Sequence, residues 1–474
     1  MASVSGISTV SKIFSKLGNN TGSVVPMFAK DIASSGLTSY TYFKDGGKMD
    51  GAEKAIEEFG TTVIWLGGIP LVKKIIDKTV FKKAGINPDV DAKKLFTTGK
   101  EKSVQTVEYA KEKALSLGES FKEQAQDLTK IAKNKNLAKK LAIGKFAIST
   151  AAVGLALYGL ITFKQKRTEK KVEESIRAKY AQNASLKNAL NKNDVYTAFK
   201  QNNATHKSKE PSFKGAGIIP FFMTNPVANT AIVDGVITGT RLKEARKGEK
   251  FEVGLREACQ LAFIYGLAKP LQKGLEFIGK NVFKKPIDLD YSVLDSSTLK
   301  EAAEQVKQGK SSKLLEQAKE LTTIAGKDKK VGNNAAKKMI DFIFDGKNSK
   351  IADVLKRSGD VGVYKTKAGV EQLSLLSNIS ADKVRTTAQN TIDIVENASK
   401  SADVSKYLKQ TKVLKGAAIA ANILISAFLM GYVQPKLNIA LRKKLHNGDN
   451  TNPAIRNLEN EMQQKLVFEG KIQN

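Results

Sequence analysis

The sequence predicts an all-α, membrane-associated protein built from two duplicated halves. Three observations predict it. Long charge-free stretches are walled by lysines, amphipathic helical spacing with few strand signals fills the chain between them, and an ordered set of features occurs twice along the 474 residues.

Phe146 to Phe163 reads FAISTAAVGLALYGLITF and Gly416 to Pro435 reads GAAIAANILISAFLMGYVQP, neither with a charge. At about 1.5 Å per residue, each covers most or all of the roughly 30 Å of a bilayer's hydrocarbon core, so the apolar helices 146–163 and 416–435 are expected to span it. Lysines stand on both sides: Lys139, Lys140 and Lys145 before the first and Lys164, Lys166 and Lys170 after it, Lys412 and Lys415 before the second and Lys436 and Lys443 after it. Their stems lie along apolar surface while the ammonium reaches the headgroups. Stretches 59–72 and 215–233 are also apolar but contain proline (Pro70; Pro220 and Pro226), and 259–268 is short, so these read as kinked, re-entrant or interfacial helices. Burial of all five inside a soluble helical core is the competing expectation, because Ala, Gly, Ser and Thr keep them only moderately hydrophobic.

The two copies share an order. Gly22–Phe28, Glu57 and Glu58, Pro70-Leu71, Val80-Phe81-Lys82-Lys83 and Pro88-Asp89-Val90-Asp91 precede the first apolar helix; Gly217–Phe222, Glu257, Pro270-Leu271, Val282-Phe283-Lys284-Lys285 and Pro286 to Asp290 precede the second. The chain accordingly divides into an N-terminal amphipathic segment (1–21), with Ile7, Val10, Ile13, Phe14 and Leu17 on one helical face, and a first half (22–171) ending in helix 146–163. A basic connector (172–214) leads to a second half (215–447), which holds an extra helical block at about 326–400 and helix 416–435. A C-terminal tail (448–474) follows. An odd number of crossings per half would orient the halves oppositely, and lysines at both ends of each span leave the topology open.

Between the spans, 101–133 keeps a helical spacing at Val104, Val107, Ala110, Ala114 and Leu117, with Gly118 as a break. Similar texture fills 297–412. GVYKTKAGV, from Gly362, is the one strand signal and reads as a small hairpin.

The formal charge of +31 predicts anionic partners. Lysine outweighs arginine, which favours diffuse attraction to an anionic lipid membrane over base reading; nucleic acid is disfavoured as a partner, and self-association is a further expectation. Cys259 is the sole cysteine, so an intrachain disulfide is excluded and the expected location is a membrane with its soluble regions in a reducing compartment. With two histidines, His206 and His446, and one thiol, a Cys/His zinc site, a Cys-His pair and a Ser-His-Asp triad are all disfavoured. No nucleotide loop is complete, and no cofactor or metal is expected. Two Asp-x-Asp pairs, Asp89/Asp91 and Asp288/Asp290, are weak cation candidates, although an Asp after Pro more commonly caps the next helix. Asn422, inside the second span, is the candidate for an interhelical polar contact.

These features point to a non-catalytic structural or scaffolding role at an anionic membrane surface. The alternatives are a transporter or pore with its path between the halves, and a soluble helical protein binding nucleic acid through 164–214.

Overall fold

A computed structural model describes residues 24–97, 103–187, 223, 226–246, 248–290 and 297–470. The amphipathic segment 1–21, residues 188–214 of the connector, and Gly217–Phe222 lie outside the described residues.

The fold is all-α. Among the described residues the only strands are β1 (Val363–Lys365) and β2 (Glu371–Leu373), antiparallel with Val363 opposite Leu373, at the expected hairpin. The helices are α1 (Val24–Asp45), α2 (Lys48–Ala84), α3 (Ala92–Phe96), α4 (Val107–Ser116), α5 (Lys122–Lys133), α6 (Lys135–Lys187), α7 (Pro226–Glu244) and α8 (250–281). After them come α9 (Ser297–Lys307), α10 (Lys313–Ala325), α11 (Asn333–Phe344), α12 (Ser349–Ser358), α13 (Ala381–Ser399), α14 (Val404–Leu445) and α15 (Pro453–Phe468). Side-chain caps start several of them. The Asp91 carboxylate accepts from the Lys93 amide at 2.7 Å, Thr106 from Tyr109 at 3.2 Å and Asp403 from Lys406 at 2.9 Å.

Stretch 59–72, expected as a kinked, re-entrant or interfacial helix, lies inside α2, which runs unbroken through Pro70. Proline lacks an N–H and crowds the carbonyl four residues before it. A π turn at Ile64–Gly68, in which the Ile69 amide bonds to the Ile64 carbonyl, widens the helix ahead of the ring and relieves that crowding. α8 and α14 use the same device, with π turns at Phe263–Leu267 ahead of Pro270 and Leu429–Val433 ahead of Pro435. As a result α2 joins α6 and α14 as helices long and apolar enough to cross a membrane.

Six long helices, α1, α2, α6, α7, α8 and α14, run side by side. α2 is antiparallel to α6, since Gly60 meets Leu160 and Glu57 meets Lys164, whereas α7 is parallel to α6 and α1 parallel to α14. At one end lies a helical cap, α3–α5 and α9–α13 with the hairpin, whose continuous core includes Leu95, Leu128, Leu299, Leu321 and Val395. At the other end charged side chains are buried, and α15 packs on the end of α6 through Ile455 and Leu466 against Val172 and Ile176. The stretch expected as a C-terminal tail is thus mostly a docked helix.

Between the two ends is an apolar slab. From Lys145 to Lys164 along α6, and from Lys415 to Lys436 along α14, the rise is about 30 Å. Its inside is packed by Val153 and Leu157 against Val233 and Ile237, and by Ile419 and Ile423 against Ile287 and Leu289. Its outside is bare: Leu155 is 72% exposed, Val63 67%, Leu424 66% and Leu71 59%. Only 11% of the apolar window of α2 and 22% of that of α6 is buried, against 44% for α14, so a soluble core does not enclose these helices.

Within the cap, Lys94 is buried with its ammonium 3.2 Å from the Val104 carbonyl. Burial is the main influence and pulls its pKa down to about 8, with Asp91 pulling weakly the other way. A lysine with a lowered pKa in the folded state costs stability fully below that value and regains it as pH rises toward its ordinary value. Lys94→Met is expected to raise unfolding stability by about 3 kcal/mol at neutral pH and to flatten its rise between about pH 8 and 10.5. Denaturant titrations of both proteins across that range check it.

Candidate functional site

The most unusual site is the buried ionic cluster at the end of the slab opposite the cap. α2 presents Asp50, Glu53, Lys54, Glu57 and Glu58 on one face, because spacings of three and four residues return to the same side of a helix. Glu249, Glu252, Arg256 and Glu257 do the same at the start of α8. Lys164 of α6, Arg241 of α7, Arg246 just after it and Arg442 of α14 point into the same space.

Two centres result. In the first, Glu57 contacts Arg256, takes Lys164 at 3.0 Å, and lies 3.4 Å from the Arg241 guanidinium. Arg241 reaches Glu257 at 2.6 Å, and Arg256 approaches Glu257 at 3.2 Å and Glu58 at 3.5 Å. In the second, Arg442 binds both Glu252 oxygens and takes Asp50 at 2.7 Å, while the Tyr42 hydroxyl donates to Glu252 at 2.9 Å and the Asn452 amide to Asp50 at 3.0 Å. Lys54 lies over the Tyr42 ring and 3.9 Å from Glu57, and so links the two centres; it also approaches Glu249 at 3.5 Å. Burial alone would push the Glu249 carboxyl up, but Lys54 and Lys164 outweigh it and hold it below the ordinary range.

Each charge lies within 4 Å of an opposite one, so the cluster is an internal salt-bridge network, although Glu53 Oε2, Glu58 Oε1, Glu249 Oε1 and the Arg256 Nε and Nη1 have no hydrogen-bond partner among the described residues. Buried pairs of this kind add little net stability over apolar packing, but removing one partner is costly.

The residues singled out from sequence are elsewhere and do not converge. Asp91 caps α3, and Asp89, exposed, donates its amide to Asn87. Asp288 accepts from the Asp290 amide at 2.8 Å and from Asn390 at 3.0 Å, and Asp290 pairs with Lys269 at 3.0 Å. Among the described residues no three His, Cys, Asp or Glu side chains are placed to hold a metal ion. Asn422 is half-buried and has no hydrogen-bond partner among the described residues. The sequence signal for the cluster was the pair of acidic runs just before the apolar stretches of α2 and α8. Their helical spacing was visible, but which cations answer them was not.

Compared with known protein families, curated proteins and solved structures, the chain matches none.

Proposed function

We propose that the protein is an integral membrane protein of two tandem halves, whose helical cap is held at an anionic membrane surface in a structural, non-catalytic role. The observation that carries it is the bare apolar slab, about as thick as a hydrocarbon core and bounded by lysines at one end and the buried ionic cluster at the other. Lysines flanking the spans would meet acidic headgroups.

Support for tandem halves comes from positions. One common spacing relates Tyr42 to Arg241, Glu53 to Glu252, Glu57 to Arg256 and the π turn at Ile64–Gly68 to that at Phe263–Leu267. Another relates Val153 to Ile423, Leu157 to Ala427, Lys164 to Gln434 and Thr168 to Asn438, every one of them buried. The first register differs by one residue from that of the Pro-Leu pairs, because the second copy places one more residue between its π turn and its proline. Packing is exchanged between halves: α1 lies on α14 of the second, and α7 on α6 of the first. Both sets share one orientation.

An alkaline carbonate wash of membranes from cells expressing the full chain tests the proposal. The protein is expected to stay in the pellet; its release by salt alone would show surface adsorption and overturn the spanning reading.

A further inference from the structure

The two halves differ where they leave the slab at the cap end. α2 and α8 rise through it level with each other, since Lys54 meets Glu249 and Glu57 meets Arg256. Asp77 pairs with Lys145 at the cap-side bound, so the same bound falls near Glu276 on α8. Just past it the outer side of α2 is polar, with Lys78, Thr79 and Lys83 exposed. At the matching levels α8 carries Phe277, Ile278 and Val282, followed by Phe283, and all four are between 45% and 67% exposed.

The repeated Val-Phe-Lys-Lys shows how the chain turns these side chains out. In the first copy the helix runs on to Ala84, Gly85 takes the left-handed turn at φ +64°, and Phe81 is inside the cap core under the Lys145 ammonium. In the second, α8 stops at Asn281, and the left-handed residue is Lys284 at φ +52°, a conformation uncommon outside glycine. The Lys285 amide bonds back to the Gly279 carbonyl at 3.1 Å, and Ile287 packs so close to Gly279 that a Cβ there would stand 2.5 Å from its Cγ1. Residues 285–287 thus return along the inner side of α8 and leave Val282 and Phe283 on the outer side.

Charge around these four is one-sided. Lys280 and Lys284 are exposed and have no ion pair among the described residues, whereas the nearby acids are engaged: Glu276 takes Lys273 at 2.6 Å and Asp290 takes Lys269 at 3.0 Å. Residues 1–21 carry lysines and no acid, so they offer Lys280 and Lys284 no counter-charge. Location decides what does. Phe277 and Ile278 continue the outward apolar stripe of Ile264 and Leu267 from the bare slab. Val282 stands about 9 Å past the bound by helical rise, within the headgroup layer.

We propose that the end of α8, from Phe277 to Lys284, is a wedge that enters the headgroup layer on the cap side and gathers anionic phospholipids around the second half. The four apolar side chains reach the upper acyl chains, and the Lys280 and Lys284 ammoniums meet the acidic headgroups, as in helices that lie at a membrane boundary. The first half, polar at these levels, has no such wedge. It rests on the membrane reading above and gives the cap its point of contact with the lipid.

The test uses the full chain reconstituted in phosphatidylcholine/phosphatidylglycerol vesicles with brominated acyl chains, which quench nearby tryptophan. The sole tryptophan, Trp65, packs within the slab and reports on the membrane separately. Its quenching is read first, and failure there sinks the membrane reading itself. Phe283→Trp and, as a second probe, Val282→Trp, each with Trp65→Phe, then read the wedge. Both are expected to be quenched by lipids brominated high on the acyl chain. Brominating phosphatidylglycerol alone is expected to quench about twofold more than brominating the same amount of phosphatidylcholine, an excess lost in Lys280→Gln with Lys284→Gln. Unquenched emission at both probes while Trp65 is quenched would overturn the wedge, and equal quenching by the two lipids would overturn its choice of anionic headgroups.

Discussion

Arg256→Met is expected to lower the unfolding free energy by about 3–5 kcal/mol, the largest loss of any single change in the ionic cluster. Arg256 is 1% exposed and is shared by Glu57, Glu58 and Glu257. Without it those three carboxylates keep only Arg241, Lys164 and the more distant Lys54, in a place where water cannot replace the missing donor. The Coulomb energy of a pair is not what is lost; the loss is the cost of leaving acids buried and under-compensated. Glu57→Gln added to Arg256→Met should therefore recover part of the loss, because it removes an uncompensated charge. Lys122→Met is the control. It breaks the exposed pair with Glu119, and such pairs are worth about 0–1 kcal/mol. Denaturant unfolding in one detergent ranks the three, and an Arg256 variant no weaker than the Lys122 variant would mean that the cluster is open to water.

The helices were legible because their signals are local. Periodicity gave α4 and α5, proline followed by Asp91 gave the cap of α3, and GVYKTKAGV gave the hairpin, all decided by residues within a few positions of each other. Near Pro70 a kinked, re-entrant or interfacial helix was expected, and the chain forms one long helix with a π turn: that turn is one of two responses to the missing N–H, and the residues before Pro70 do not choose between them. What a single sequence could not show was pairing. Glu57 and Arg256 stand far apart in the chain, and their approach depends on how α2 and α8 face each other. Gln434 and Asn438 were passed over because they sit at the polar margin of the apolar run, where solvent was the natural expectation. Asn422 was noticed because it sits inside the run, yet it is only half-buried, while Ser426 in the same run is 1% exposed and Asn438, beyond Pro435, is 2% exposed.

Gly431→Ala is expected to destabilise by about 1–3 kcal/mol, although alanine is the better helix former. A Cβ built at Gly431 would stand 2.6 Å from the Ser34 carbonyl oxygen and 2.8 Å from Leu37 Cβ. The first of these is backbone inside α1 and cannot step aside, so the two helices must separate, weakening the Thr41 contact with Gly431 and the Tyr42 contact with Asn438 together. The pseudo-equivalent pair, α6 and α7, closes differently. Its small residue is Gly154, where a Cβ would meet Val236 Cγ1 at 3.2 Å, the end of a side chain that can give a few tenths of an ångström. Gly159, on the same helix, has nothing within 4 Å, so Gly159→Ala should stabilise by roughly 0.5–1 kcal/mol through the helix alone. Thermal midpoints in one detergent are thus expected to fall in the order Gly159→Ala above Gly154→Ala above Gly431→Ala. A Gly431 variant as stable as the Gly159 variant would show that α1 and α14 stand farther apart than backbone contact.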